Sequence, residues 1–305
     1  ADDPLPSTHL PTQQYYIGAL LGEGAYSMVY NCKDYFGKQY VCKVLKDTES
    51  KDKLTSEWRR EKNFLATARH PHVIQLFDSF IYKNKFYYVF EKMTGSLRGY
   101  LKSYPDGVEL REFRTICGQL LSGVHYIHKR DIIHRDLHVD NILYSKKRAE
   151  DRINCKLADF GISHQLGAGE KKAYAFKGRP YDYAPEMLTE GYTSKQSDVY
   201  QLGLIFYHCL TGTPAITQAD GETQKAVLSG VARERAEALG HGVGEVISMM
   251  LRRRPEYRYI GCKEVWHSLW PAVNTLIEES KNEEQLDVFF TSGSGGGGGG
   301  RDDGG

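Results

Sequence analysis

The sequence predicts an α+β chain of two unequal lobes: a small, mostly β lobe with one helix, then a larger, mostly helical lobe. Three observations carry this. The first ninety residues hold strand-like runs broken by glycine and asparagine turns, with a single stretch of helical spacing. Beyond residue 96 the helical spacing dominates. About 270 residues lie between a proline-rich polar start and a glycine-rich end, enough for two lobes around a cleft. The expected organisation is a loose lead-in over 1–15, one domain over 16–280 and a disordered tail over 281–305. Within the domain, 16–92 form the small lobe and 96–280 the large one.

The elements follow in order. YYIGALLGEGAYSMVYNCKD and KQYVCKVLK read as strand, glycine turn, strand, turn and strand. Over 52–68 the period changes: Leu54, Trp58, Glu61, Leu65 and Ala68 are three or four apart, a helical stripe interrupted by a glutamate. QLFDSFIYKNKFYYVFEKM reads as two strands around a turn at Lys83–Lys85, ending in a connector with Gly95. LREFRTICGQLLSGVHYIHKR places Phe113, Cys117, Leu120, Leu121, Val124 and Ile127 on one helical face. NILYSKKRAEDRINCKLADFG reads as a hairpin with a polar excursion. SKQSDVYQLGLIFYHCLTG is apolar enough for a central helix, and VGEVISMMLRR and CKEVWHSLWPAVNTLIEE give two more. TSGSGGGGGGRDDGG has nothing to bury and too much backbone entropy to lose.

The bulk numbers exclude more than they assert. A net charge of +1 argues for neither nucleic acid nor membrane as partner. The basic runs, such as Arg252-Arg253-Arg254, read as solvated surface. Six cysteines are spread without a CxxC pair or Cys/His cluster, which reads as buried thiols rather than a zinc site. No signal peptide or membrane-spanning apolar run is apparent, so the expected compartment is intracellular, cytoplasm or nucleus. The chain opens on Ala1, which reads as a domain cut from something longer.

Short motifs occur in a fixed order: GEGAYSMV at 22–29, VCK at 41–43, HRDLHVDN at 134–141, DFG at 159–161 and APE at 184–186. Any one is weak. GxG alone marks many turns, and Lys43 inside an apolar strand normally snorkels to the surface. Together, in this order and at these separations, they make the chain resemble the eukaryotic protein kinases over roughly residues 16 to 270. The resemblance implies a bilobal kinase-like fold and a serine/threonine-type phosphotransferase. It implies ATP and Mg2+ (or Mn2+) as cofactors and a protein as substrate.

The resemblance also assigns roles. Leu21, Gly22, Glu23, Gly24, Ala25, Tyr26 and Ser27 form a glycine-turn lid over ATP, with Ser27 at the family's third glycine. Val29 and Val41 sandwich the adenine against Leu143. Phe90 closes the back of the pocket, and the Glu91 and Met93 backbones hydrogen-bond the adenine edge. Lys43 pairs with the phosphates and with Glu61, with Glu57, one turn earlier, as the rival partner. Asp136 is the catalytic base, and Asn141 and Asp159 are the metal ligands, oxygen donors suited to a hard ion. His134 packs under Phe160 with Leu65 and Leu76. Glu186 pairs with Arg258, and Asp198 caps the catalytic-loop backbone.

Two positions depart from the family pattern. His138 stands where serine/threonine kinases have lysine, and Arg179 stands where they have the threonine of GTPxYxAPE. Either Arg179 restores a positive charge beside Asp136, or it blocks that residue. Between His164 and Pro185 there is no serine or threonine, only Tyr174, Tyr181 and Tyr183. Glu170 is then a candidate unmodified partner for Arg135. The leading expectation is an active serine/threonine kinase. The alternatives are a pseudokinase scaffold that keeps residual nucleotide binding, and a tyrosine or dual-specificity enzyme.

Overall fold

A computed structural model of the chain describes residues 15–47, 50–146, 148, 150–174 and 180–292. The small lobe is an antiparallel sheet of order β1-β2-β3-β5-β4. Its strands are β1 (Tyr15–Glu23), β2 (Ser27–Asp34), β3 (Gln39–Leu45), β4 (Leu76–Tyr82) and β5 (Lys85–Glu91). Helix α1 (Lys51–Thr67) lies between β3 and β4 in sequence. Lys83 and Asn84 join β4 to β5 with φ of 45° and 64°. Two positive-φ residues are what a two-residue hairpin needs to match the twist of its strands.

The period of two in β3 positions the site. Tyr40, Cys42 and Val44 face one way, into a buried cluster with Tyr15, Cys32, Tyr87 and Val89. Val41 and Lys43 therefore face the other way, where they pair across the ladder with Phe90 and Tyr88. Helix α1 buries Leu54, Trp58, Glu61 and Leu65 against that same side. A sequence stripe that includes a glutamate thus becomes a helix face that delivers a carboxylate to a lysine.

The large lobe begins with β6 (Gly95–Ser96), α2 (Leu97–Leu101) and α3 (Leu110–His128). Short strands follow: β7 (Ile132–Ile133), β8 (Ile142–Ser145), β9 (Asn154–Leu157), β10 (His164–Gln165) and β11 (Ala173–Tyr174). Then come α4 (Pro185–Thr189), β12 (Tyr192–Thr193), α5 (Lys195–Thr211), α6 (Thr223–Ser229), α7 (Val231–Glu237), α8 (Gly242–Met250) and α9 (Cys262–Ser292). The final helix runs to Ser292, past the residue 280 at which the domain was expected to end. Helices α2, α4, α6 and α7 are five or seven residues long, too short for an apolar period to register.

Helix α5 is the pillar of this lobe. The Ser194 side chain caps its first turn, and Gly212 ends it at φ 73°. It is buried almost all round, and its buried polar residues Ser197, Asp198 and Gln201 are all hydrogen-bonded. Among the contacts between the lobes, Val73 bridges Leu157 in parallel and Ile74 N–H donates to Leu157 O at 2.9 Å. The six cysteines are free and buried. Burial raises their thiol pKa values, for Cys32 and Cys155 to about 12, so they act as small apolar groups. Among the described residues, no helix is long and apolar enough to cross a membrane.

Candidate active site

Lys43 sits between two carboxylates. Its Nζ is 2.8 Å from Asp159 Oδ1 and 3.8 Å from Glu61 Oε1. Burial disfavours the ammonium, but Asp159 and then Glu61 outweigh it, and the lysine pKa is raised. Asp159 is held below the usual carboxylate range, chiefly by Lys43. Glu61, only 4% exposed, is raised by burial despite Lys43. The ammonium is thus shared unequally and stays closer to Asp159. Glu57 is half-buried one turn away and lines the same cavity without an ion pair to Lys43.

Opposite Lys43 stands the loop after β7. Asn141 Nδ2 donates to the Asp136 carboxylate at 3.0 Å and to the Asp136 carbonyl at 2.9 Å. His138 is buried, and its Nδ1 accepts the Asp140 N–H at 3.2 Å. That bond puts the ring proton on Nε2, which faces Asp136 Oδ2 at 3.6 Å. Asp140 itself takes both contacts of Arg98 Nε, at 2.7 and 2.9 Å.

The loop is held from below by α5. Asp198 accepts from the backbone N–H of His134 and of Arg135, each at 2.9 Å, and from His128 Nε2 at 2.7 Å. Gln201 accepts from Leu137 N–H at 3.1 Å and donates to Asp182 O at 3.0 Å. This clamp matters because Arg135 has φ 77°, a left-handed conformation that costs a non-glycine residue on the order of 1 kcal/mol or more. Asp159 shares that feature at φ 61°. His134 and Phe160 pack at 4.7 Å between centroids, and Phe64 covers Phe160 at 4.9 Å.

Two adjoining cavities run between the lobes. One, of about 600 Å3, has Leu21, Gly22, Ser27, Val29 and Val41 in its roof and Leu143 and Ala158 below. Phe90, Glu91 and Met93 form its back and edge, and Lys43, Asn141 and Asp159 its inner end. The Glu91 carboxylate turns away to Lys156, at 2.6 Å, and to Gln75 N–H, at 2.8 Å. The other cavity, about 380 Å3, holds Gly24, Ala25 and Tyr26 over Lys43, Asp136 and His138.

Glu23 lines neither cavity; its carboxylate is bonded to Lys46. Nor do Gly22 and Gly24 adopt positive φ. An added Cβ at Gly22 would meet nothing within 4 Å, and one at Gly24 only Ser27 O at 3.7 Å. These glycines line the cavities without adopting an unusual backbone conformation. Glu170 bonds Gly167 N–H at 2.8 Å, while Arg135 Nη2 bonds Tyr174 O at 3.3 Å. Arg179 lies outside the described residues.

Sequence reading missed Ile74 in the nucleotide-sized cavity, Gln201 under the loop and Tyr88 beside the lysine. Gln201 carries a signal, being a polar side chain inside an apolar helix. Tyr88 carries none, because it looks like one more core aromatic. The Lys43 ammonium is 5.9 Å from the centre of its ring.

A protein kinase domain matches residues 15–271. The chain belongs to the protein kinase family. It is 32% identical over 203 residues to "Serine/threonine-protein kinase fused" of Drosophila melanogaster, covering 66% of this chain and 24% of that protein. It is 29% identical over 252 residues to "Serine/threonine-protein kinase PLK4" of Danio rerio, covering 81% and 26%. It is 32% identical over 209 residues to "NUAK family SNF1-like kinase 1" of Mus musculus, covering 67% and 31%. The chain therefore spans about a quarter to a third of the length of these relatives.

The family uses ATP with a divalent cation, and the donor set here fits one. Asn141 commits its NH2 to Asp136, which leaves its oxygen for a cation. Asp159 adds a carboxylate that is 47% exposed at the cleft. Among the described residues no cluster of three or more His, Cys, Asp or Glu exists. Two oxygen ligands, with phosphates and water supplying the rest, suit magnesium.

Proposed function

We propose that this chain transfers the γ-phosphoryl group of Mg-ATP to a serine or threonine hydroxyl of a protein substrate. The observation that carries this reading is the convergence of Lys43, Glu61, Asp159, Asn141 and Asp136 on one pair of adjoining cavities. Lys43 meets phosphate oxygens with a permanent charge, and Glu61 limits where that charge can move. Asn141 and Asp159 hold the cation, which screens phosphate charge when bound. Asp136 accepts the proton of the acceptor hydroxyl. His138 offers Nε2–H next to it, so an imidazole N–H stands where the family has an ammonium. Serine/threonine specificity is supported by the names of the relatives. An intracellular setting is supported by the six free, buried thiols.

The test is incubation of the purified chain with γ-labelled ATP, Mg2+ and a mixed peptide library, followed by phosphoamino-acid analysis. Phosphoserine or phosphothreonine is expected. Phosphotyrosine alone would replace the specificity, and nucleotide binding without transfer would make the chain a scaffold.

A further inference from the structure

A third cavity, of about 340 Å3, adjoins the catalytic loop, and nothing in the nucleotide chemistry uses it. His138 belongs to its wall and also to the wall of the cavity containing Asp136. One imidazole therefore separates this third space from the proposed base, with Nε2 at 3.6 Å from the Asp136 carboxylate. The walls come from the loop after β7, from α5, from the segment after α5 and from the short turn Pro180–Asp182.

The lining is apolar where it is deepest. Val139, Ile205, Ala215 and Ile216 are each at most 6% exposed. The ionisable groups around them already have partners or are held neutral. Arg98 gives its Nε to both oxygens of Asp140. Asp182 is itself partnered. His208 is held neutral: burial, and then the nearby Arg98, lower its pKa to about 4. A charged side chain of a substrate entering here would lose water against walls in which the Arg98 Nε and Asp182 already hold partners, which is costly. An apolar side chain would lose nothing by the same move.

We propose that this cavity is a specificity subsite that accepts an apolar side chain of the protein substrate, such as Leu, Met or Phe. The occupied position lies within about three residues of the acceptor hydroxyl, because an extended chain advances ~3.3 Å per residue. His138 thereby has two faces, one toward the reacting hydroxyl and one toward the residue that identifies the substrate. The inference rests on the protein-kinase reading.

The experiment is a positional-scanning peptide library around a fixed serine/threonine acceptor, phosphorylated by the full chain with Mg-ATP. At one position, Leu, Met or Phe is expected to exceed Arg, Lys, Asp and Glu by about 10-fold, the discrimination one apolar pocket can supply. The variant His208→Glu places a carboxylate in the wall and is expected to turn that position toward Arg or Lys. Gln218→Glu, at the exposed rim, moves preference the same way by a smaller factor without burying a charge. Phosphorylation with no apolar preference at any position, or with a wild-type preference for charge there, overturns the subsite and leaves the kinase reading intact. An absence of transfer to every peptide, together with an absence of autophosphorylation, overturns both.

Discussion

At the scale of single residues, the arrangement around Asp136 makes His138 the unusual component. Its Nδ1 is spent on the Asp140 N–H, so only Nε2 can act toward the cleft. Truncation to alanine removes that donor and is expected to lower kcat by about 10²-fold, the usual loss for a positioned electrostatic group. His138→Lys restores a donor and should stay within about tenfold of wild type. Steady-state kinetics on both variants, at unchanged KM for ATP, checks this. His208 makes a different prediction. Its folded pKa is about 4 against an unfolded 6.5, so between those values the unfolded chain binds the extra proton. Stability is therefore complete above about pH 6.5 and is lost as pH falls toward 4. Urea unfolding at pH 7 and pH 5 is expected to show wild type losing more stability than His208→Gln. Equal losses would mean that His208 titrates freely in the fold.

At the scale of elements, the joints can be tested independently of the chemistry. The Glu186 carboxylate, before α5, receives two bonds of 2.7 Å from Arg258, and both side chains are at most 1% exposed. Removing one partner leaves a buried charge, so Arg258→Ala should destabilise the chain by about 3–5 kcal/mol. Gly212, ending α5, has φ 73°, and a Cβ there would lie 2.0 Å from Pro105 O. Gly212→Ala should cost about 1–3 kcal/mol or prevent folding, read by thermal unfolding. Elements were legible in the sequence where periodicity was long. The stripe Leu54, Trp58, Glu61 and Leu65 identified α1, and the face from Phe113 to Ile127 identified α3. The short helices and two-residue strands were not, because they span at most two turns or a single pleat, too few repeats for an apolar period to register, and are fixed by tertiary contacts. The extension of α9 to Ser292 was missed because glutamate- and lysine-rich sequence can be helix or solvated tail.

At the scale of the whole molecule, the motifs made the cleft legible because each holds residues whose chemistry is narrow: lysine, two aspartates and an asparagine. What the sequence showed only in part is how they are supported. Asp198 was expected under the catalytic loop, but Gln201, which joins it there from a helix more than sixty residues away in sequence, and Tyr88, which underlies Lys43 from a strand, were not. The roof glycines looked conformational, yet neither has a positive φ. The lobes touch at Val73 and Leu157, at Phe64 and Phe160 and through the Glu91–Lys156 ion pair, and Lys43 of β3 lines the same cavity as Asp136 and Asn141 of the loop. The central claim is that this cleft transfers phosphate because those charges face one another across it. Its most direct measurement is phosphoryl transfer from γ-labelled Mg-ATP to a serine/threonine peptide by wild type, Lys43→Met and Asp159→Asn, with thermal unfolding run in parallel. The account predicts transfer by wild type, a loss of ~10²-fold or more in each variant, and folded protein in all three. Transfer by either folded variant within a factor of about two of wild type, against the losses such groups normally show, would contradict it.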